Sequence, residues 1–589
     1  MMRSRKSSEC PYPMALSPYR ANTHRQLTSS AGRCEWCRAE IDAVGDAPRG
    51  PWCFREQMNE TRNKRTKPMP EVATALPAHL QRSRGSQWGL LSVLILTAVA
   101  GCSDKAPPDA APGEGRPLLW GNCPALPDGV TRDPRQTCAT LQVPLDYHHP
   151  AGRTLELSIS RIATARPDSR RGVLLLNPGG PGLGGLDLPS LAATMLPSEV
   201  LERYDLIGFD PRGVGHSAPV TCGLTDVSLV NLFPYPAADG SIDANVALAR
   251  ETAARCAAST SGDVLPFITT ANTARDMDQI RQALGEGKIS YWGQSYGTYL
   301  GAVYASLFAE NTDRMVLEGN VDPTRVWYGT FHYWSAGMAS RFPDAARGAA
   351  ANNDTVHFGT TVEEVTAAYL ELASRLDATP ASVPGTSARI SGGLFRTVTY
   401  SLLEKNEQLP LLVQLWRAID NLTAGAPTAE DAALLQQVFA QEAARTDVPA
   451  DNQTAVFLAL ACGDASWPTD IEVYRKKTAE DRAAHPLTAG MPFNIWPCAF
   501  WKTQPREAAV EVTRQGEHNI LLLQNRRDNA TPWESGLGLR KALGARATFV
   551  EVDAGGHYVY GQGSSCVDGV FNTFLMTGQL PQGDVSCAN

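Results

Sequence analysis

The stretch Lys288-Ile-Ser-Tyr-Trp-Gly-Gln-Ser-Tyr-Gly-Thr-Tyr-Leu-Gly301 joins a compact apolar run to the pentapeptide Gly293-Gln-Ser-Tyr-Gly297 and then turns helical in pattern. It reads as strand, tight turn, helix. In a G-x-S-x-G elbow the serine sits at a strained corner, and the flanking glycines let strand and helix approach closely. Ser295 is therefore a candidate nucleophile. Strand-like Ile289 to Trp292 before it, and Leu300, Val303, Tyr304 and Leu307 at helical spacing after it, supply the context that a bare pentapeptide lacks.

Strand patterns lie on both sides of this elbow. Thr154 to Ile162 alternates apolar and polar residues, whereas Gly172 to Leu176 and Tyr204 to Phe209 are continuous apolar runs, as in strands covered on both faces. Residues 120–144 read as turn-rich. Helical patterns cover residues 244–258 and 270–284, and further strands are expected at 314–319, 519–524 and 548–552. Strands alternating with helices point to an α/β fold, a mostly parallel sheet with helices on both faces. Between residues 326 and 505 the strand signal gives way to amphipathic stripes, one through Val362, Val365, Tyr369, Leu372 and Leu376, another through Leu411, Leu412, Leu415, Ile419 and Leu422. This is read as a helical cap inserted into the sheet domain. The core is then expected over residues 119–325 and 506–589.

A hydrolytic serine needs a base and an acid that orients it. His557 lies in the glycine-led loop Ala554-Gly-Gly-His557 after the last expected strand, where the ends of parallel strands carry functional loops; His518 precedes a strand, at the wrong end. Asp528 follows the penultimate strand and is the natural acid, with Glu318 or Asp322 as fallbacks. The order Ser295, Asp528, His557 is that of α/β-hydrolases. For an oxyanion, backbone N–H groups must converge, and the loop Asn177-Pro-Gly-Gly-Pro-Gly-Leu-Gly-Gly185 permits this. The amides of Gly180 and Tyr296 are the expected donors. A phosphate loop is excluded because no Gly-Lys-Ser/Thr follows.

The chain has 589 residues, 43% hydrophobic and 19% charged, which is a globular composition. A net charge of −8 offers no basic field for a nucleic-acid backbone, so nucleic acid is excluded as the main partner. Arg82 and Arg84 precede the apolar run Leu90 to Ala100, about a dozen residues, too short for a bilayer span and suited to a signal-peptide core. Its ending, Val99-Ala-Gly-Cys102, resembles a bacterial lipobox, with Cys102 as the lipidated residue. Residues 69–102 are accordingly expected to be a lipoprotein signal and 103–118 a Pro- and Ala-rich tether. Residues 1–68 have no sustained periodicity and are read as non-native or removed, translation starting near Met69. Cys10, Cys34, Cys37 and Cys53 lack a convincing second ligand pair, and no metal site is expected. Cys123, Cys138, Cys222, Cys256, Cys462, Cys498, Cys566 and Cys587 follow the export signal, an even set that suggests disulfides paired in sequence order.

Asn177-Pro-Gly-Gly-Pro-Gly182, Gly208-Phe-Asp-Pro-Arg-Gly-Val-Gly-His-Ser217, Gly293-Gln-Ser-Tyr-Gly-Thr298, Asp528 with Thr531-Pro532, and Gly555-Gly-His557 together resemble the secreted tripeptidyl aminopeptidases of actinobacteria, relatives of proline iminopeptidase with a TAP-like C-terminal region. Ser564-Ser-Cys566, Gly578-Gln-Leu-Pro581 and Cys587 also match, so the resemblance runs from about Trp120 to Cys587. It implies an α/β-hydrolase in which Ser295 is the nucleophile, His557 the base and Asp528 its orienter. It also implies an exopeptidase acting on free N-termini without metal or organic cofactor. Acidic cap residues would hold the substrate ammonium, and Glu404 and Asp464 are weak candidates for that role. Asp210 and Arg212 are expected to hold their own loop together. The chain departs from the commoner Asp-Pro-Val-Thr-Pro by Asn529-Ala530, a change expected to leave the acid's role intact. The expected setting is the cell envelope, lipid-anchored, or the secreted fraction. A carboxylic-ester hydrolase and a non-catalytic peptide-binding lipoprotein are the alternatives.

Overall fold

A computed structural model describes residues 117–126, 131–439 and 447–588. The expected signal, Cys102, most of the tether, and the four upstream cysteines fall outside the described residues. Among those residues no helix is long and apolar enough to cross a membrane.

Eleven strands form in chain order: β1 Thr137–Pro144, β2 Thr154–Ile162, β3 Gly172–Asn177, β4 Tyr204–Phe209, β5 Ile289–Gln294, β6 Thr312–Glu318, β7 Ala381–Ser382, β8 Arg389–Ile390, β9 Ile520–Arg527, β10 Ala547–Gly555 and β11 Val585–Cys587. Nine of them make one sheet in the order β1-β2-β4-β3-β5-β6-β9-β10-β11. β1, β2 and β4 pair antiparallel, and from β4 to β11 every ladder is parallel. The central strands are buried on both faces, which is why β3 and β4 read as unbroken apolar runs. Their side chains divide by parity. Ile520 and Leu522 join the core on one side of the sheet, Leu521 and Leu523 that on the other. With helices filling both faces and the chain order described below, this is an α/β-hydrolase fold.

Two expectations need correction. The turn-rich stretch 120–144 contains β1, an edge strand whose half-buried pattern and terminal Pro144 hide its periodicity. In the cap, β7 and β8 form a two-residue ladder where no strand was expected. Otherwise the chain between β6 and β9 is helical, and Phe342, Tyr369, Leu372, Leu412 and Trp416 centre a separate apolar core there. The helix Asn452–Gly463 behaves differently: Val456, Phe457 and Leu460 join the core of the sheet domain.

Four disulfides, Cys123–Cys138, Cys222–Cys256, Cys462–Cys498 and Cys566–Cys587, pair in sequence order. They close loops of 15 to 36 residues, each worth about 2–4 kcal/mol by restricting the unfolded chain.

Candidate active site

Ser295 stands between β5 and the helix Tyr296–Leu307 with φ 55° and ψ −123°. A non-glycine residue there carries about 1–3 kcal/mol of strain and persists only when its surroundings fix it. They do. The Ser295 amide donates to the Glu318 carbonyl at 2.9 Å, and the Ser295 carbonyl accepts from the Thr298 amide at 2.9 Å and the Thr298 hydroxyl at 2.6 Å. The glycines are required by contact: a Cβ on Gly293 would lie 2.5 Å from the Gly297 carbonyl, and one on Gly297 would lie 2.7 Å from Asn177 Oδ1.

The glycine-rich loop after β3 lies on this corner. A Cβ on Gly179 would sit 2.8 Å from Ser295 Cβ and 3.2 Å from the Tyr296 nitrogen. Asn177 Oδ1 accepts from the Gly179 amide at 3.0 Å, and Asp210 Oδ1 accepts from the amides of Gly185 at 3.0 Å and Leu186 at 3.1 Å. Neither the Gly180 nor the Tyr296 amide donates to an acceptor among the described residues. Two free amides beside a serine can receive a carbonyl oxygen that gains charge.

Asp210 bonds within its own loop, whereas Arg212, against the expectation, ties that loop to distant segments of the chain. The second oxygen of Asp210 takes the His216 amide at 2.9 Å. Arg212, fully buried, pairs with Asp276 at 2.6 Å and donates to the carbonyls of Leu145 and Phe267.

Asp528 follows β9 and His557 follows β10, adjacent strands two and three places from β5. His557 Nδ1 lies 2.9 Å from Asp528 Oδ2. The aspartate is 0% exposed, yet it accepts from the amides of Ala530 at 2.8 Å and Thr531 at 2.9 Å, the Thr531 hydroxyl at 2.9 Å and the Gln524 amide group at 3.2 Å. Because Ala530 contributes through its backbone, the departure Asn529-Ala530 leaves this cradle intact. The imidazole packs on Gly319, where a Cβ would meet its Cε1 at 2.9 Å. Burial alone would push the imidazolium down, but Asp528 first, then Glu404 and Glu318, outweigh it and lift His557 up to about 9.

The two ammonium candidates are not equivalent. Asp464 Oδ1 accepts the Thr270 amide at 2.9 Å, and Oδ2 accepts the Thr270 hydroxyl at 2.6 Å and Trp327 Nε1 at 3.0 Å. Burial, opposed by these bonds, raises its carboxyl to about 6. That carboxylate is committed to the protein's own donors. Glu404 is half-buried beside the base: its carbonyl accepts the His557 amide at 2.7 Å, and its carboxylate has no hydrogen-bond partner among the described residues. Burial raises its carboxyl too, with His557 opposing and Asp528 adding to the shift. The Tyr400 hydroxyl, on the helix that precedes Glu404, is buried without a partner among the described residues. The fallback acids have other tasks. Asp322 caps its own turn through Thr324, and Glu318 bonds the residues after His557 but not its ring.

Residues without an assigned sequence role also meet here. Thr531 bonds Asp528 and lies 3.3 Å from His557 Nδ1. From the cap, Trp334 Nε1 donates to the Ala530 carbonyl at 2.8 Å, and Asn529 Nδ2 donates back to the Tyr400 carbonyl at 3.0 Å. Glu404 lies in the turn just after the helix Gly392–Leu402 that carries Tyr400, and no periodicity in the sequence marks it. No cluster of metal-ligating side chains occurs among the described residues.

Residues 486–587 match the family described as TAP-like protein. The tripeptidyl aminopeptidase of Streptomyces lividans is 34% identical over 489 residues, covering 80% of this chain and 86% of that protein. This chain belongs to the tripeptidyl aminopeptidase family. At 29% identity it also matches the serine protease Hip1 of Mycobacterium tuberculosis, over 81% of this chain and 92% of that one. Carboxylesterase B of the same organism matches at 29% identity too, over 85% and 96%. As a member of the tripeptidyl aminopeptidase family the protein is an enzyme, a serine hydrolase.

A base must be neutral to accept a proton. With His557 raised to about 9, kcat/KM is expected to climb through the alkaline range rather than level off near 7. Asp528→Asn should move that limb to lower pH and reduce kcat by about 10⁴-fold, as in other triads. A pH–rate profile whose acid limb is unmoved by Asp528→Asn would contradict the assignment. In stability, the interaction that raises His557 is fully present below about 6.5 and is lost as pH rises through about 9.

Proposed function

We propose that the enzyme is an extracytoplasmic serine exopeptidase that releases short peptides or single residues from free N-termini through an acyl-enzyme. Ser295 Oγ attacks the scissile carbonyl while His557 Nε2 takes its proton. Asp528 holds the Nδ1–H of the resulting imidazolium. The amides of Gly180 and Tyr296 receive the oxyanion, His557 then protonates the departing amine, and water reverses the sequence. The observation that carries the reading is the Asp528–His557 pair at 2.9 Å on the same sheet edge as the strained Ser295. The names of the relatives in Streptomyces and Mycobacterium support a peptide substrate.

The exopeptidase part rests on Glu404. An accessible carboxylate without a partner, one backbone contact from the base, suits a substrate ammonium. Each extended residue spans ~3.3 Å, so an ammonium bound there limits how far the N-terminus lies from the cut. Esters are the second reading, favoured by the carboxylesterase relative, because one triad cleaves both.

For location, the run Leu90 to Ala100 ending in Cys102 supports export and lipid anchoring. In this reading residues 69–102 are the signal, 103–118 the tether, 326–505 the cap, and 119–325 with 506–589 the catalytic core.

Peptide anilides with free and blocked N-termini, assayed beside short acyl esters, test the substrate. Free-amine peptides should be preferred. Glu404→Gln should raise their KM by about 10–100-fold, the value of a charge-assisted contact, while the KM of short acyl esters, which carry no ammonium, stays unchanged. Equal cleavage of blocked and free peptides, or activity confined to esters, would contradict the proposal. For the anchor, the mass of membrane-extracted protein should correspond to a chain beginning at a lipidated Cys102. Any other mature N-terminus would refute it.

A further inference from the structure

Glu318 ends β6, which runs between β5 and β9, and is 1% exposed. Burying a carboxylate is costly unless its oxygens are satisfied. Here each oxygen serves a different part of the site. Oε1 accepts the amides of Val559 at 2.6 Å and Tyr560 at 3.1 Å, just beyond His557. Oε2 accepts Trp292 Nε1 at 2.9 Å and Gln294 Nε2 at 3.2 Å, just before Ser295. The carbonyl of the same residue accepts the Ser295 amide at 2.9 Å, and the next residue, Gly319, carries the imidazole.

We propose that Glu318 is a positioning residue whose carboxylate sets the spacing between the serine corner and the histidine loop by bonding both at once. All four of its partners are donors, so the position demands an acceptor on each side. Two oxygens with no N–H meet that demand. A glutamine would turn its NH₂ toward one pair of donors and convert those two attractions into repulsions. A leucine would leave four donors unsatisfied. Asp528 already occupies His557 Nδ1, so Glu318 acts through backbone placement. Burial pushes its carboxyl upward, and the four donors oppose that shift. Around the imidazole the charged groups are Asp528, Glu404 and Glu318, with Arg341 of the cap acting on Asp528.

This inference rests on the triad reading of Ser295, and the experiment separates the two. Turnover of a free-amine peptide anilide is measured from pH 6 to 10, per folded molecule by circular dichroism, for Ser295→Ala, Glu318→Gln and Trp292→Phe. Ser295→Ala should abolish turnover; if it does not, the triad reading fails and removes the basis of this proposal. Glu318→Gln should lower kcat by about 100-fold, the scale of an ångström misplacement. Its KM should stay within about threefold, and its acid limb should move to lower pH because one carboxylate no longer favours the imidazolium. A folded Glu318→Gln enzyme with wild-type kcat, or with an unmoved acid limb, overturns the proposal. Should that variant fail to fold, Trp292→Phe decides. It removes one donor, and a loss of about 3–10-fold in kcat at constant KM supports the bridge, whereas wild-type kcat overturns it.

Discussion

The left-handed backbone of Ser295 is the constraint on which the rest of the site depends. A side chain at φ 55° is tolerated because the surrounding parts leave the chain no other path. β5 delivers it at the sheet edge, and Glu318 of the neighbouring strand takes its amide. Thr298 takes its carbonyl, and glycines 179, 293 and 297 remove every Cβ that would collide with the corner. The helix that follows leaves the Tyr296 amide without an acceptor among the described residues, so in the proposed mechanism the same corner supplies an oxyanion donor.

The parallel sheet converts this local geometry into a site. Ser295, Asp528 and His557 follow β5, β9 and β10 at the C-terminal ends of these parallel strands, and β6 between them contributes Glu318, with Gly319 just after it. Asp528 is buried, accepts the amides of Ala530 and Thr531, and pairs with one nitrogen of the imidazole. The cap rests on these loops. Trp334 bonds the Ala530 carbonyl, Arg341 and Arg527 share Asp344, and the Glu404 carbonyl bonds the amide of His557. The cap and the loops that carry Asp528 and His557 are therefore mechanically joined. A change in the cap at Tyr400 or Trp334 acts on the loop that orients the base.

Much of this was legible in the sequence because burial on both faces writes itself as continuous apolar runs. β4 has the boundaries expected from such a run and β2 those expected from its alternation, while β6, β9 and β10 differ by a few residues. The placement of Ser295, Asp528 and His557 after strands was readable, and they follow β5, β9 and β10. β1 was hidden because it lies at the sheet edge, where half its residues need not be apolar, and β11 because three residues carry no period. The cap yielded its helices but not its contacts. Stripes such as Val365, Tyr369 and Leu372 record that a face is buried, not which loop it meets. The distinction between Glu404 and Asp464 was likewise invisible, since it depends on Thr270 and Trp327, far apart in the chain and meeting at one carboxylate. Glu318 looked like a spare acid. Its four donors come from two distant segments, and no local spacing announces them.

The central claim is that Ser295 is the nucleophile of a triad with His557 and Asp528. Peptide mapping after reaction with a fluorophosphonate tests it most directly. The account predicts a single adduct, on Ser295, formed faster as pH rises through the titration of His557 and absent from Ser295→Ala. An adduct on another residue, or one that persists at full stoichiometry in Ser295→Ala, would contradict it.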